Sequence, residues 1–560
     1  MNGLVILLIS AVVLFLAYVL YGRFLAKKWG IDPDRKTPAH ELEDGVDYVP
    51  AEPSVVFGHE FASIAGAGPI NGPIIAAMFG WVPVLLWILI GGIFFGAVQD
   101  FASLYASVKN KGKTIGYLIE TYIGKTGKRL FLIFVWLFSI LVTAAFADIV
   151  AGTFGGFARA ADGTVTRVAA NASVATTSIL FIFAAVALGF FIRRVKPGAL
   201  LSGMAACVLL TLCIITGLLF PIYIDKTIWL YIVFVYIFCA SVTPVWGLLQ
   251  PRDYLNSFLL VAMIAAAFIG VVFTAPAINI PAFVGFNVNG NYLFPILFVT
   301  VACGAVSGFH SLVASGTASK QIDNERHMLP VGFGAMLVEC LLAVISLIAV
   351  GALAVGGKMP TGTPPQIFAS AVAGFLTRLG LPENVIYTLI ILAINAFALT
   401  SLDSVARVGR LAFQELFTED DAKQPSALIK FLCNKYTATI LTLIFGYMLA
   451  VLGYAAIWPL FGSANQLLAA LALISCSVFL KKTKRQGAML WPPMIIILIV
   501  TLTALVFTIR AKGGKLFAGT FNFGQDFLQL IFAVLLFCLG VMVAVQGIIK
   551  LTGKDKAETA

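Results

Sequence analysis

The chain has 560 residues, 60% of them hydrophobic and only 11% charged, and its mean hydropathy is +0.99. A soluble protein carries about 25% charged residues, so the composition excludes a soluble enzyme or signalling domain and puts the chain in a membrane. Its formal net charge of +11 fits attraction to anionic lipid, with no nucleic acid expected as a partner.

Apolar runs near the spanning length of about 20 residues recur along almost the whole chain, so the expected fold class is an all-α polytopic membrane protein. The first run, 4–22, has no basic stretch before it and no small-residue cleavage site after it, and is expected to be a retained helix. About fifteen transmembrane helices are expected by length. The others fall near 55–78, 82–108, 129–157, 174–192, 198–220, 228–249, 255–275, 293–315, 331–356, 383–406, 429–453, 457–480, 490–510 and 525–549. With the N-terminus outside, alternate loops collect "RFLAKKWGIDPDRK", "RRVK", "KQIDNER" and "KKTKR", and the C-terminal tail is cytoplasmic. Only eight of the 37 Lys and Arg residues fall on the other side: Arg159, Arg167, Lys226, Lys358, Arg378, Arg510, Lys512 and Lys515. That asymmetry follows the positive-inside rule. The eight cysteines are scattered without CxxC spacing and read as small buried hydrophobes. Within 357–382, "PPQIFASAVAGFLTRLG" suits either a short interfacial helix or a cover over an outer vestibule.

Two stretches look like interrupted helices. In "HEFASIAGAGPINGP" (59–73), Gly66, Gly68, Pro69, Gly72 and Pro73 break the second span near the middle of the bilayer. Irregular backbone at that depth is tolerated only against protein or a water-filled cavity. Amides after the break, around Gly66, Gly68, Asn71 and Gly72, would point into the gap with a partial positive charge and suit a carboxylate. The second candidate is "CASVTPVWGLLQPRD" (239–253), breaking at Ser241–Pro244 and offering Ser241 and Thr243 to the same ligand. Five spans run from each break, to about 220 and about 412, so the two sets enter the membrane from opposite sides. Paired interruptions in inverted halves point to a transporter's midplane site; two unrelated proline kinks are the plain alternative. The resulting division is 1–54 (peripheral helix and cytoplasmic loop), 55–220 and 228–412 (inverted repeats), and 429–560 (peripheral helices).

Ionisable groups at membrane depth are functional by default, with structural pairing as the alternative. His59 and Glu60 do not form HExxH, because Ser63 stands at the second histidine position, so no metal site is expected. They suit proton coupling, or face cytoplasmic water as an interfacial pair. Ser307, Ser311 and Ser315 share one helix face, with His310 and Thr317 on adjoining faces. Such hydroxyls line a cation site or hydrogen-bond a neighbouring helix. Gln99, Asp100, Asp148 and Glu339 also lie within spans; Asp403 stands four before Arg407, a local salt bridge by spacing; Asn465 and Gln466 read as glue between helices. The coupling candidates are His59, Glu60, His310 and Asp148.

The stretches "FGHEFASIAGAGPINGP", "GAVQDF", "VTPVWGLLQPRDYLNSF", "SGFHSLVASGTASKQI", "ALTSLDSVARVGR" and "FGSANQLLAALAL" resemble the carbon starvation protein A family of bacterial inner-membrane carriers. That resemblance, over about residues 1–480, implies uptake of pyruvate or short peptides by symport. It also implies the five-plus-five inverted repeat (LeuT-like) of the amino acid–polyamine–organocation superfamily, and a cation site at Ala62, Ile64, Ser311 and Ser315. The expected function is therefore cation-coupled import of a small carboxylate nutrient, with H+ or Na+ as coupling ion and no other cofactor. The alternative is a membrane-embedded nutrient sensor signalling to a cytoplasmic partner. A channel ranks third. No nucleophile–base or metal spacing stands out, so an enzyme is the weakest reading.

Overall fold

A chain surrounded by hydrocarbon must satisfy its peptide groups internally, which is why the apolar runs become helices. The computed structural model describes residues 2–44, 47–159, 164–195, 199–243, 245–417, 427–485, 487–524 and 526–553. In chain order its principal helices are α1 (Gly3–Trp29), α2 (Pro53–Ile64), α3 (Gly68–Ala76), α4 (Trp81–Lys109), α5 (Ile115–Tyr122), α6 (Lys125–Phe154) and α7 (Ala169–Val195). There follow α8 (Ala199–Leu219), α9 (Lys226–Val242), α10 (Val245–Thr274), α11 (Leu293–Thr300), α12 (Gly308–Gly316) and α13 (Glu325–Leu353). The last are α14 (Pro364–Thr377), α15 (Glu383–Phe417), α16 (Lys435–Ala450), α17 (Tyr454–Lys482), α18 (Trp491–Phe517) and α19 (Asp526–Thr552). Two short antiparallel hairpins, 157–159 with 165–167 and 287–288 with 291–292, lie between helices.

The expected count of fifteen spans is not reached by length and apolarity alone. Among the described residues ten helices qualify, and an eleventh crossing is the pair α2–α3, bent by 45° at its break. The remaining apolar helices near 226–242, 258–274 and 435–450 are shorter. At the centre α6 packs against α15 over the longest interface, and α17, buried along its middle from Ile457 to Leu480, lies along α6. Phe138 and Phe146 of α6 meet Phe461 of α17 at ring separations of 6.3 and 5.7 Å. α4 packs along α13, while α9 and α16 touch each other and both α6 and α15. α10 lies on α15 and α14; α17 lies on α6 and α5. The hairpin α7–α8 sits against α10.

The segment left open between an interfacial helix and a cover is α14. Thr363 and Gln366 close a capping box at its start, and its apolar side is buried against α3, α10, α13 and α15. It packs within the bundle. The outlying cations Lys512 and Lys515 reach Asp526 at 2.7 and 3.2 Å, which offsets part of that cluster's charge.

Candidate functional site

The first interruption lies where its glycines and prolines place it. α2 ends at Ile64, α3 starts at Gly68 with Pro69 in its first turn, and residues 65–67 join them. Pro69 costs nothing there, since a first-turn N–H has no intrahelical partner anyway.

The second expected interruption, Ser241–Pro244, falls at a junction between two helices. Thr243 is extended and links the end of α9 to α10, which runs unbroken from Val245 through Pro251 to Thr274; Pro244 itself lies outside the described residues. The carbonyls of Ala240 and Thr243 accept from Arg407, and that of Ser241 accepts from Arg410 at 2.6 Å. This is a helix C-terminus, whose carbonyls carry partial negative charge, and two arginines cap it. Ser241 Oγ lies 3.5 Å from Thr439 and Thr243 Oγ1 donates to Cys239 O, so both side chains serve local packing.

The partner of the first break is instead "VACGAVS" (301–307), between α11 and α12. Here the span expected at 293–315 unwinds for seven residues, and other helices supply what the backbone loses. Gln466 Nε2 donates to Phe298 O (2.8 Å), Trp458 Nε1 to Thr300 O (3.2 Å), Trp87 Nε1 to Val301 O (3.2 Å) and Gln99 Nε2 to Ser307 O (2.7 Å). Asn465 Oδ1 accepts from Phe309 N (3.1 Å), and Asn465 Nδ2 donates to Ser307 Oγ (3.1 Å). Each orphaned buried peptide group would otherwise cost about 1–3 kcal/mol. Close approach completes the clasp. A Cβ on Gly68 would collide with Cys303, and one on Gly72 would come within 2.7 Å of Thr300 O.

The two gaps meet at a small cavity. It is lined by Ser63, Ile64, Gly66 and Gly68 from the first gap, Cys303, Ser307 and Phe309 from the second, and Ser401 and Val405 of α15. Phe138, Val142 and Phe146 of α6, with Phe461 and Asn465 of α17, close the remaining sides. No Asp, Glu, Lys, Arg or His stands among these described lining residues. A larger cavity of 1530 Å³ shares Ser63, Phe309 and Ser401 with it and extends to the end of the bundle carrying Glu120, Lys128 and Glu415. Lys128 bridges those two carboxylates at 2.8 and 2.9 Å.

Beside the gaps four helices each bury one ionisable group: Glu60 of α2, Asp100 of α4, His310 of α12 and Glu339 of α13. His310 Nδ1 lies 2.8 Å from Asp100 Oδ2, and its Nε2 lies 3.3 Å from Glu339 Oε2. Both oxygens of Glu60 and both of Glu339 have no hydrogen-bond partner.

The other expected residues divide as follows. His59 separates from Glu60: it is exposed and lines the larger cavity, with Thr317. Asp148 lies apart from the buried quartet, paired with Lys226 (2.6 Å) and capping α17 at Tyr454 N (2.8 Å). In the candidate cation set, Ile64 lines the central cavity and Ala62 is half-buried. The two hydroxyls of that set are already engaged: Ser311 with Gln99 (2.7 Å) and Ser103 (2.9 Å), Ser315 with Ser311 O and Ile115 N. Asn71 is fully buried with both amide atoms unpaired and does not line the cavity. Asp403 does not pair with Arg407 in the way its spacing suggested. It pairs with the buried Arg252 of α10 and Tyr236 of α9, an ion pair joining residues 151 apart in sequence that no local pattern announces.

Comparison with known proteins adds a lineage to this geometry. The family model described as carbon starvation protein CstA matches residues 2–366 and 355–504. The chain is 31% identical to the peptide transporter CstA of Bacillus subtilis, over 98% of this chain and 97% of that one. It is 33% identical to the peptide transporter CstA of Escherichia coli, over 90% of this chain and 80% of that protein. It is 31% identical to the pyruvate/proton symporter BtsT of E. coli, over 92% and 82% of the two chains. Among solved structures, an Eremococcus coleocola manganese transporter covers 91% of this chain and 99% of its own at 12% identity. Its TM-score of 0.44 marks a likeness too loose to bear on function.

Proposed function

The chain belongs to the carbon starvation protein CstA family, and from that premise and the site's geometry we propose that it is a secondary active transporter importing a small carboxylate nutrient by proton symport. The observation that carries this reading is the cavity where two unwound stretches meet. Both α3 and α12 begin there, and helix N-termini favour negative charge through their unpaired amides. The rest of the lining is hydroxyl, thiol, amide, aromatic and, at Ile64, Val142 and Val405, aliphatic.

That lining favours a 2-oxo acid such as pyruvate. A peptide brings an ammonium group as well, and burying it without an acid beside it is costly. A short peptide is the second reading, favoured by the names of relatives such as those in B. subtilis and E. coli. Asp148 and Glu60, the acids that would have served its amine, are engaged elsewhere or turned into the quartet.

The packing supports a five-plus-five inverted repeat with boundaries other than 220 and 412. In this reading α2–α3 corresponds to α11–α12, α4 to α13, α5 to α14, α6 to α15, α9 to α16 and α10 to α17. The pairs α4–α13, α6–α15 and α9–α16 each pack together, and α10 and α17 make mirrored contacts. The hairpin 169–219 is then an insertion in the first unit, and α1, α18 and α19 are peripheral. The positive-inside rule sets the N-terminus outside and the C-terminus in the cytoplasm of a bacterial cell, so the larger cavity opens inward. The quartet around His310 holds the coupling proton.

Uptake of labelled pyruvate and of a labelled dipeptide into proteoliposomes, with H+ and Na+ gradients imposed separately, tests this. Pyruvate accumulation driven by H+ alone is expected. Binding without flux would instead favour a sensor.

A further inference from the structure

Of the four groups in the quartet, one stands on the bent helix. Glu60 is on α2, two turns or less from the break, and its immediate neighbours on that helix, His59 and Ser63, face the inward cavity. Its own carboxyl is turned the other way, wholly buried and without a hydrogen bond. The charges acting on it come from Asp100 of α4 and His310 of α12. Those acting on His310 come from Glu339, Asp100 and Glu60.

Charge balance restricts what Glu60 can be. His310 and Asp100, 2.8 Å apart, form a neutral pair whether or not the imidazole takes the carboxyl proton. Glu60 and Glu339 are then surplus acids, and an ionised carboxylate in a dry site without a partner is strongly disfavoured. Glu339 sits on a continuous helix and lies 3.3 Å from the imidazole, close enough to share its charge. Glu60 has no such neighbour and rides on the element that bends.

We propose that Glu60 is the residue that carries the coupling proton, and that in the loaded carrier α2 seats against α12 and α13 only while that carboxyl is protonated. The step balances simply. When α2 tilts into the inward cavity, the Glu60 O–H bond breaks, the proton passes to cavity water, and the carboxylate left behind is hydrated. For symport, the proton that returns to this oxygen is taken up from the outer side together with substrate. Each inward release of substrate thus carries one proton inward, and the empty carrier returns with α2 unseated and Glu60 ionised. This rests on the symport reading above and names the group within it.

The test is Glu60→Gln, which keeps the shape of the protonated acid and cannot exchange a proton. Reconstituted Glu60→Gln is expected to lose pyruvate accumulation driven by a pH gradient while still exchanging internal for external pyruvate. Glu60→Asp is expected to restore part of the driven uptake. Accumulation by Glu60→Gln equal to that of the wild type would overturn the assignment. Infrared difference spectroscopy gives a readout independent of flux: a buried carboxylic acid C=O band is expected in the purified wild type and absent from Glu60→Gln. A band unchanged in the variant would overturn the proposal even if transport is lost. Wild-type protein that fails to accumulate pyruvate would sink the symport reading instead, and the infrared band would still decide whether Glu60 holds a proton.

Discussion

The two interruptions solve one problem in opposite ways. The first spans three residues and carries its own cause: Gly66, Gly68 and Pro69 end one helix and start the next. The second spans seven residues, contains no proline, and is held open from outside by Trp87, Gln99, Trp458, Asn465 and Gln466. A helix break can be written in the segment that breaks or in the helices around it. Here the chain uses both.

Substitutions can separate the two. The largest effect is expected from Gly68→Leu, which forces a side chain into Cys303 where the gaps touch. Uptake should be abolished while the protein remains inserted in the membrane, measured by transport beside a membrane-fraction blot; wild-type uptake would sink the site. Asn465→Ala comes next. It strips the amide that ties Ser307 and Phe309, at a cost of about 1–3 kcal/mol for the groups left unpaired. A severe loss of uptake with a modest drop in thermal stability is expected, whereas an unaffected rate would mean the second gap needs no outside support.

Smaller effects mark the residues that geometry places away from the gaps. Asp148→Ala loses a half-exposed ion pair and the cap on α17, so the melting temperature should fall while proton-driven uptake persists. Loss of coupling in a folded Asp148→Ala would return that residue to the proton path. Ser241→Ala should change neither uptake nor stability beyond roughly 0.5 kcal/mol. A strong transport defect would restore the α9–α10 turn to the substrate site.

The contrast also accounts for what the sequence made legible. The bend at 59–73 could be seen because glycine and proline act locally on φ, ψ and hydrogen bonding. The reading at 241–244 rested on the same kind of signal, but Pro244 lies outside the described residues. "VACGAVS" gave no warning, because small residues pack in continuous helices too. Its signal lay in Asn465 and Gln466, which read as glue between helices, and in Gln99, noted only as polar within a span; all three are glue for an unwound backbone. The Asp100–His310–Glu339 grouping escaped for a different reason. Its members were each noted as costly at membrane depth, but only packing of α4, α12 and α13 brings them together. Asp403 is the converse case, correctly spaced for Arg407 and claimed by Arg252.

The most direct measurement is an electron cryomicroscopy map of the protein in a membrane disc with pyruvate bound. The account predicts ligand density between Gly66–Gly68 and Cys303–Ser307, with the carboxylate toward the backbone of both gaps. Density at the turn beside Arg407 and Arg410, or confined to the larger cavity near Glu120 and Lys128, would contradict it.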